Sequence, residues 1–246
     1  AADHGLAAED GTLRVATEAG ARTLGETVGL GAAVTLRAQT LVQDGHIALP
    51  SGALTLQATG RSADGIAIRL GPGSTTSVAG QALDNGRGFV ADSPAGTLVI
   101  QADQGAVELQ GRLDASAARR ADGQPGEGDG GRVRVTASGD GGTLRLGATA
   151  AIAAGGGHRG RDRGGELALD LRTLDDAAPL MAAAAVGGID GSLGLRVREG
   201  DLVVASGLRA RRVELAVDAG ALHIEGALLD ARADDGGLVR LAARDD

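Results

Sequence analysis

The most binding-like stretch of the sequence is HRGRDRG at residues 158–164, which places basic side chains on a glycine-rich segment. Guanidinium groups form paired hydrogen bonds to oxyanions, so such a segment could grip a sulfated glycan or another anion. The simpler interpretation is a solvated loop whose charge is partly neutralised by Asp162. The residues of this candidate anion-binding or glycan-binding loop are His158, Arg159, Arg161 and Arg163.

Two further glycine-rich segments match the G-x-G-x-x-G pattern of phosphate-binding loops: GEGDGG at 126–131 and GGGHRG at 155–160. A dinucleotide site needs its glycines between a strand and the helix that they open. Both segments instead precede a predicted strand. We therefore interpret them as flexible loops, and we predict no cofactor.

Catalytic and metal-binding patterns are missing from the sequence. No serine lies in a G-x-S-x-G setting, the four histidines lack metal-ligand spacing, and the aspartate-rich turns lack the nonapeptide rhythm of calcium-binding repeats. We predict no catalytic residues, no bound metal and no enzymatic activity. A polysaccharide-acting enzyme stays an open alternative, because the separation of two carboxylates is a three-dimensional property. Its sugar would lack a stacking partner, since the chain has no Trp or Tyr.

The elements that carry these segments are predicted to be short strands. Apolar and polar residues alternate with a period of two, in segments of about five residues, which is typical of strands with one buried face. The alternating apolar residues are Leu13/Val15, Val34/Leu36, Leu54/Leu56, Ile66/Ile68/Leu70, Leu98/Ile100, Val107/Leu109, Val133/Val135, Leu144/Leu146, Leu167/Leu169/Leu171, Leu193/Leu195/Val197, Leu202/Val204, Val213/Leu215/Val217, Leu222/Ile224 and Val239/Leu241.

Composition limits the core and the partners. The 246 residues include 43 glycines, one aromatic residue, one methionine and no cysteine. An aliphatic core without large rings suits a narrow, layered interior. The formal charge of −8 argues against binding to nucleic acid, and no apolar run has the length of a transmembrane segment.

An internal repeat indicates how the strands are arranged. LVIQADQGAVELQGRL at 98–113 aligns without a gap on VELAVDAGALHIEGAL at 213–228. Both stretches continue into Leu-Asp-Ala, a spacer of variable length and Gly-Gly. Self-similar units of about 20 to 25 residues are typical of stacked repeats, and loops that leave such a stack can vary in length at little entropic cost.

The sequence therefore predicts an all-β parallel β-helix (β-solenoid) of roughly ten coils, with residues 1–246 forming one segment. Loops are expected at 115–131, 153–165 and 231–237, all leaving the same side. A possible break is expected at 176–191, where an Ala run after Pro179 forms helical turns or a loose connection. The residues expected to face inward are Leu98, Ile100, Val107, Leu109, Val133, Val135, Val213, Leu215, Leu222 and Ile224. Aspartate at Val135 or Ile224 is expected to cost several kcal/mol.

The phrases GALTLQATG, GRLDAS…GGRVRVTAS and GALLDARADDGGLVRLAARDD resemble the repeat region of large exported adhesins of the filamentous haemagglutinin type. The resemblance implies a right-handed β-helix, export through an outer-membrane secretion transporter by the two-partner route, and a place on the bacterial cell surface. The chain lacks that family's Asn-Pro-Asn-Gly secretion motif, so it would be an internal segment of a larger protein. The repeat regions of the family carry no catalytic residues to transfer.

We therefore expect a non-enzymatic stalk segment of a secreted, surface-exposed bacterial adhesin that mediates attachment to host cells or surfaces. A host-cell glycan or receptor is a possible partner. Two alternatives remain at this point. One is the stalk of a contact-dependent toxin-delivery protein, and the other is the polysaccharide-acting β-helix enzyme.

Overall fold

Strands form most of the protein, as the period-two alternation predicts. The computed structural model describes residues 3–17, 30–84, 86–87, 90–120, 126–157, 164–231 and 236–244. Every apolar segment predicted as a strand lies in one. The elements in chain order are β1 (Asp3–Val15), β2 (Ala33–Gln43), β3 (His46–Ala48), β4 (Ala53–Ala58), β5 (Ile66–Leu70), β6 (Thr75–Ser77), β7 (Ala82–Asp84), β8 (Val90–Asp92), β9 (Thr97–Ala102), β10 (Ala106–Leu109), β11 (Arg112–Asp114), β12 (Arg132–Ala137), β13 (Leu144–Leu146), β14 (Ala151–Ala153), β15 (Glu166–Leu171), α1 (Ala178–Val186), β16 (Ser192–Val197), β17 (Leu202–Val204), β18 (Leu208–Arg209), β19 (Arg212–Val217), β20 (Leu222–Ile224), β21 (Leu229–Asp230) and β22 (Leu238–Ala243).

One parallel sheet, here called row 1, extends through the whole described chain. Its order is β1–β2–β4–β9–β12–β15–β16–β19–β22, and each pair from β2 to β22 matches six residues without a register shift. Since a one-residue slip would turn every inward side chain outward, this register keeps the apolar residues in continuous columns. One buried column consists of Leu56, Ile100, Val135, Leu169, Leu195 and Leu215. The predicted all-β parallel architecture is confirmed at this level.

Shorter strands follow the row 1 strands and pair in the same way. Row 2 contains the C-terminal halves of β1 and β2, then β5, β10 and β13. Row 3 contains β3, β6, β11 and β14. After β16 and β19 the corresponding strands form two further parallel pairs, β17–β20 and β18–β21. A row 1 strand and the short strands after it thus form one structural repeat.

Two insertions depart from this pattern. The antiparallel hairpin of β7 and β8 follows row 3 strand β6. The helix α1 follows β15, where other repeats have strands of rows 2 and 3, and it lies inside the segment 176–191 in which a break was considered possible. Leu180, Met181 and Ala184 of the helix are buried, so the segment forms a packed helix and not a loose connection.

The three rows contribute to one aliphatic core. The same cluster of buried side chains contains Leu98 of row 1, Leu109 of row 2 and Leu113 of row 3. Gln43 is a buried exception at the position that leucines occupy in β5, β10 and β13. Its Nε2 donates to Thr75 O at 3.1 Å, and further bonds to neighbouring groups satisfy the amide, as burial of a polar group requires.

Glycines precede six of the row 1 strands because the backbones approach too closely for a side chain. A Cβ on Gly96 would lie 1.9 Å from Gly52 O, and one on Gly131 would lie 2.3 Å from Gly96 O. The adjacent Thr97 N donates to Gly52 O at 2.9 Å. Among the Gly-Gly pairs that precede row 1 strands, Gly236 has a left-handed φ of 89°, and the other members lie outside the left-handed region.

The predicted inward register is confirmed for eight of the ten named residues, which are buried. The prediction was wrong for Ile224, which is 37% exposed, and Leu222 is only partly buried. Both belong to β20, which pairs with β17 and has no strand on its other side in the described chain. The destabilisation expected for aspartate at Ile224 is therefore corrected to a small one. At Val135, which is 1% exposed, the expected destabilisation of several kcal/mol stands.

Candidate functional site

The predicted anion-binding cluster of His158, Arg159, Arg161 and Arg163 lies outside the described residues, so its binding role stays a prediction. The structure places the two ends of its loop. Ala117 N donates to Gly155 O at 2.8 Å, and Gly157 N donates to Gly128 O at 2.9 Å. These bonds connect the predicted loops 115–131 and 153–165. The described ends of the two loops therefore lie next to each other, and the common side expected for all the loops stays a prediction.

A buried carboxylate in the β7–β8 hairpin forms hydrogen bonds to the loop 115–131. Asp92, the last residue of β8, accepts hydrogen bonds from Arg120 Nη2 at 3.1 Å and from Glu127 N at 2.7 Å. Its side chain is almost completely buried. Arg120 and Glu127, on either side of residues 121–125, are thus bound to the same carboxylate.

Ion pairs between neighbouring strands cover the outer surface of row 1. Arg132 of β12 pairs with Glu166 of β15 at 2.6 Å. Arg198, directly after β16, pairs with Asp170 of β15 at 2.8 Å. Arg196 of β16 pairs with Asp218, directly after β19, at 2.7 Å. Strands are about 4.8 Å apart along this direction, so a long guanidinium side chain readily reaches the next strand.

Two of the ion-paired carboxyls, Asp218 and Glu108, have a lowered pKa. Hydrogen bonds from Arg196 lower the pKa of Asp218, and hydrogen bonding to Asp218 raises the pKa of Arg196. On row 2, a hydrogen bond from Arg69 lowers the pKa of Glu108. The general acid of a glycoside hydrolase needs a raised carboxyl pKa. Asp218 and Glu108 are therefore unsuited to that role.

Asp114, the last residue of β11, has the most buried carboxyl among those whose pKa is shifted. Burial raises its pKa, but hydrogen bonds from Ser116 and Arg112 outweigh this effect, and the net pKa is lowered. Arg112 Nη2 lies 2.9 Å from Asp114 Oδ2. The hydrogen bonds of this carboxylate thus fix the start of the loop 115–131.

A shallow depression of about 530 Å³ lies on the outer surface of row 1. Ala168 and Gly194 form its floor, because these outward positions of β15 and β16 carry small side chains. Arg134 and Glu214 stand on either side, and neither has an ion-pair or hydrogen-bond partner within the described chain. The mixed charges can hold a small polar group weakly, but the walls offer no ring on which a sugar could stack.

Sequence reasoning missed this depression. The period-two alternation correctly turns Arg134, Ala168 and Gly194 outward. Which of them are neighbours depends on the pairing of β12, β15 and β16, and that pairing is set by intervening loops of different lengths. The hairpin of β7 and β8 was also missed, although the dipeptide Asn85-Gly86 is a strong hairpin signal.

Metal ligands do not converge anywhere in the described chain. His4, His46 and His223 lie exposed on β1, β3 and β20. Asp140, in an aspartate-rich turn, pairs with Arg61 at 2.9 Å. Within the described ranges there is no group of three or more histidine and acidic side chains that could hold an ion.

The candidate features on row 1 and its loops, within the described chain, are paired surface charges, two adjoining loops and a shallow depression. In the described part of the chain, no helix has the length and apolar character needed to cross a bilayer. No family model matches the chain, and neither the curated proteins nor the solved structures yield a match.

Proposed function

We propose that the chain is a right-handed parallel β-helix and serves as a non-enzymatic stalk segment of a secreted, surface-exposed bacterial adhesin. The observation that carries the proposal is row 1, in which nine strands of the described chain pair in parallel and in chain order. Each return to row 1 is a crossover between parallel strands, and such crossovers are right-handed in about 98% of cases.

Closure into a tube is supported by the core. Side chains from rows 1, 2 and 3 belong to one cluster. Rows 1 and 3 keep their register from repeat to repeat, and row 2 has one shift, between Ala106 and Val107, where β10 pairs with β5. Nine strands at a spacing of about 4.8 Å extend roughly 38 Å along the stack. Backbone hydrogen bonds and cross-strand ion pairs both lie along this axis, which is the direction in which a stalk bears load.

Removing one complete repeat tests the β-helix. Deletion of residues 192–211 would bring β19 to the position of β16, since both strands pair through the same six positions. We expect this variant to fold and to unfold cooperatively in urea. The matched control lacks residues 192–201 and should not fold, because half a repeat cannot return to row 1. Loss of folding in both variants would contradict a closed helix of equivalent repeats.

The stalk function is tested on bacteria that produce the protein together with an outer-membrane transporter, as the resemblance to exported adhesins suggests. An epitope tag after residue 244 should be accessible to antibody on intact cells, and the cells should attach to cultured epithelial cells. The complete-repeat deletion should retain attachment, whereas the half-repeat deletion should abolish it. Equal attachment by both variants, or a tag accessible only after lysis, would overturn the proposed function.

A further inference from the structure

An open groove of about 700 Å³ lies between α1 and row 3. One wall is the outer side of the helix, and the other is β14 together with residues 116–119. The volume lies inside the range of roughly 300 to 1,000 Å³ in which small-molecule sites are found. Apolar side chains along the groove include Ala117, Ala118, Ile152, Pro179, Ala182 and Val186.

The helix wall is exposed although it has no polar side chain. The sequence of α1 is APLMAAAAV, and its buried residues face the core. On the groove side Val186 is 91% exposed. A helix that is apolar on all sides is normally covered, and contiguous exposed apolar surface marks a binding site in many proteins.

The rim of the groove is basic. Among the described residues that line it, the charged ones are Arg112 and Arg119, and none is acidic. The charge of Arg112 is matched by Asp114 at 2.9 Å. Arg119 is exposed and has no ion-pair or hydrogen-bond partner within the described chain. One guanidinium beside an apolar groove complements a ligand with an apolar body and one anionic group.

We propose that this groove binds a single-chain amphiphile, with the apolar tail between α1 and β14 and an anionic headgroup, such as a carboxylate, on Arg119. An apolar helix from a partner or a second copy of the chain would cover Val186 equally well. Within the described chain it would leave the Arg119 guanidinium without a counter-charge, and for this reason the amphiphile fits the groove better. The site is separate from the stalk function and does not depend on it.

Dodecanoate, used below its micelle concentration, tests the tail site by calorimetric titration. Ala182 and Ala185 provide matched variants, because both are exposed on α1 and only Ala182 lines the groove. We expect Ala182→Asp to weaken binding by roughly tenfold or more, since it places a charge against the tail. Ala185→Asp should bind as the unmodified chain does. Absence of binding to the unmodified chain, or equal weakening by both variants, would overturn the proposal.

Arg119→Gln tests the headgroup. It should reduce the affinity for dodecanoate by roughly fivefold to tenfold and leave the affinity for uncharged dodecanol unchanged. Arg134→Gln is the control, because Arg134 also lacks a partner but lies on row 1. Equal effects of the two substitutions would refute the assigned headgroup contact. Light scattering that shows a dimer, dissociated by Ala182→Asp, would identify a second copy as the occupant and overturn the amphiphile proposal.

Discussion

The two stretches of nearly equivalent sequence, 98–113 and 213–228, fold into the same strands in different surroundings. The first contains β10, which pairs with β5 on one side and β13 on the other. The second contains β20, which pairs with β17 alone in the described chain. Within row 1 the two stretches are alike, because β9 and β19 each have two partners.

Burial follows these neighbours. Leu98 and the aligned Val213 are both completely buried. Leu109 is 1% exposed, whereas the aligned Ile224 is 37% exposed. The next aligned apolar pair differs in the same way, because Leu113 is buried and Leu228 is exposed. An inward side chain in a stacked repeat is covered by the repeats above and below it. The same alternation therefore gives a core residue in one place and a half-exposed residue in another.

The largest expected difference between the two stretches is in packing. Leu109→Ala should destabilise the protein by about 2–5 kcal/mol, since it leaves a cavity between two covered strands. Ile224→Ala should cost less than about 1 kcal/mol, because solvent already reaches that side chain. Urea unfolding of both variants measures the difference. Equal losses would mean that β20 is covered in solution, and the contrast between the two repeats would then fail.

A smaller difference is expected at the aligned glycines of the following turn. A Cβ on Gly111 would lie 2.7 Å from Ser74 O and 2.8 Å from Gly71 O, so Gly111→Ala should cost about 1–3 kcal/mol through overpacking. Gly226 has a φ of 63° and nothing within 4 Å of its Cβ position.

Gly226→Ala should therefore show only the conformational cost of a left-handed residue, about 1 kcal/mol. Thermal unfolding of the two alanine variants compares the effects. A larger loss at Gly226 than at Gly111 would show that the backbone conformation, and not the close approach of the neighbouring repeat, controls this turn.

The smallest difference is electrostatic. Asp218 accepts hydrogen bonds from Arg196, whereas the aligned Asp103 accepts one from Gln101 Nε2 at 3.0 Å and forms no ion pair within the described chain. At neutral pH Asp218→Asn should cost up to about 1 kcal/mol, since the pair is exposed and screened. Asp103→Asn should cost less.

The pH dependence of the Asp218 effect has a defined sign. Its pKa is lowered in the folded state, so the stabilisation is complete above the unfolded pKa of about 3.9 and is lost as the pH falls through the folded pKa. The difference between the unmodified chain and Asp218→Asn should therefore shrink in acid and at high salt. A difference that persists at pH 2 would contradict an ionic origin.

The sequence allowed the strands to be predicted because their signal is local. Alternation such as Leu98, Ile100 and Val107, Leu109 needs only the period of the pleat, and all these residues are strand residues with buried side chains. The alternation did not predict the exposure of Ile224, because that exposure depends on whether a second strand pairs with β20. The hairpin of β7 and β8 was missed because its apolar residues Leu83 and Val90 are largely exposed and show no inward period.

The candidate sites could be predicted less well. A cluster in one segment, such as the arginines of 158–164, is visible in the sequence, but the depression at Arg134 and the groove at Arg119 are not. Each of these combines residues from segments far apart in the chain. Arg119 meets α1, some sixty residues later, because the loop after β11 and the helix after β15 pack on the same side of row 3.

By itself the sequence determined the strand type, the inward positions and the aliphatic nature of the core, because these depend on a period of two and on side-chain chemistry. Only the tertiary structure decided which strands have two neighbours, where the glycines allow backbones to touch, and which surfaces remain open beside α1. Those properties arise from contacts between repeats, and the loops that set these contacts vary in length without leaving a periodic signal.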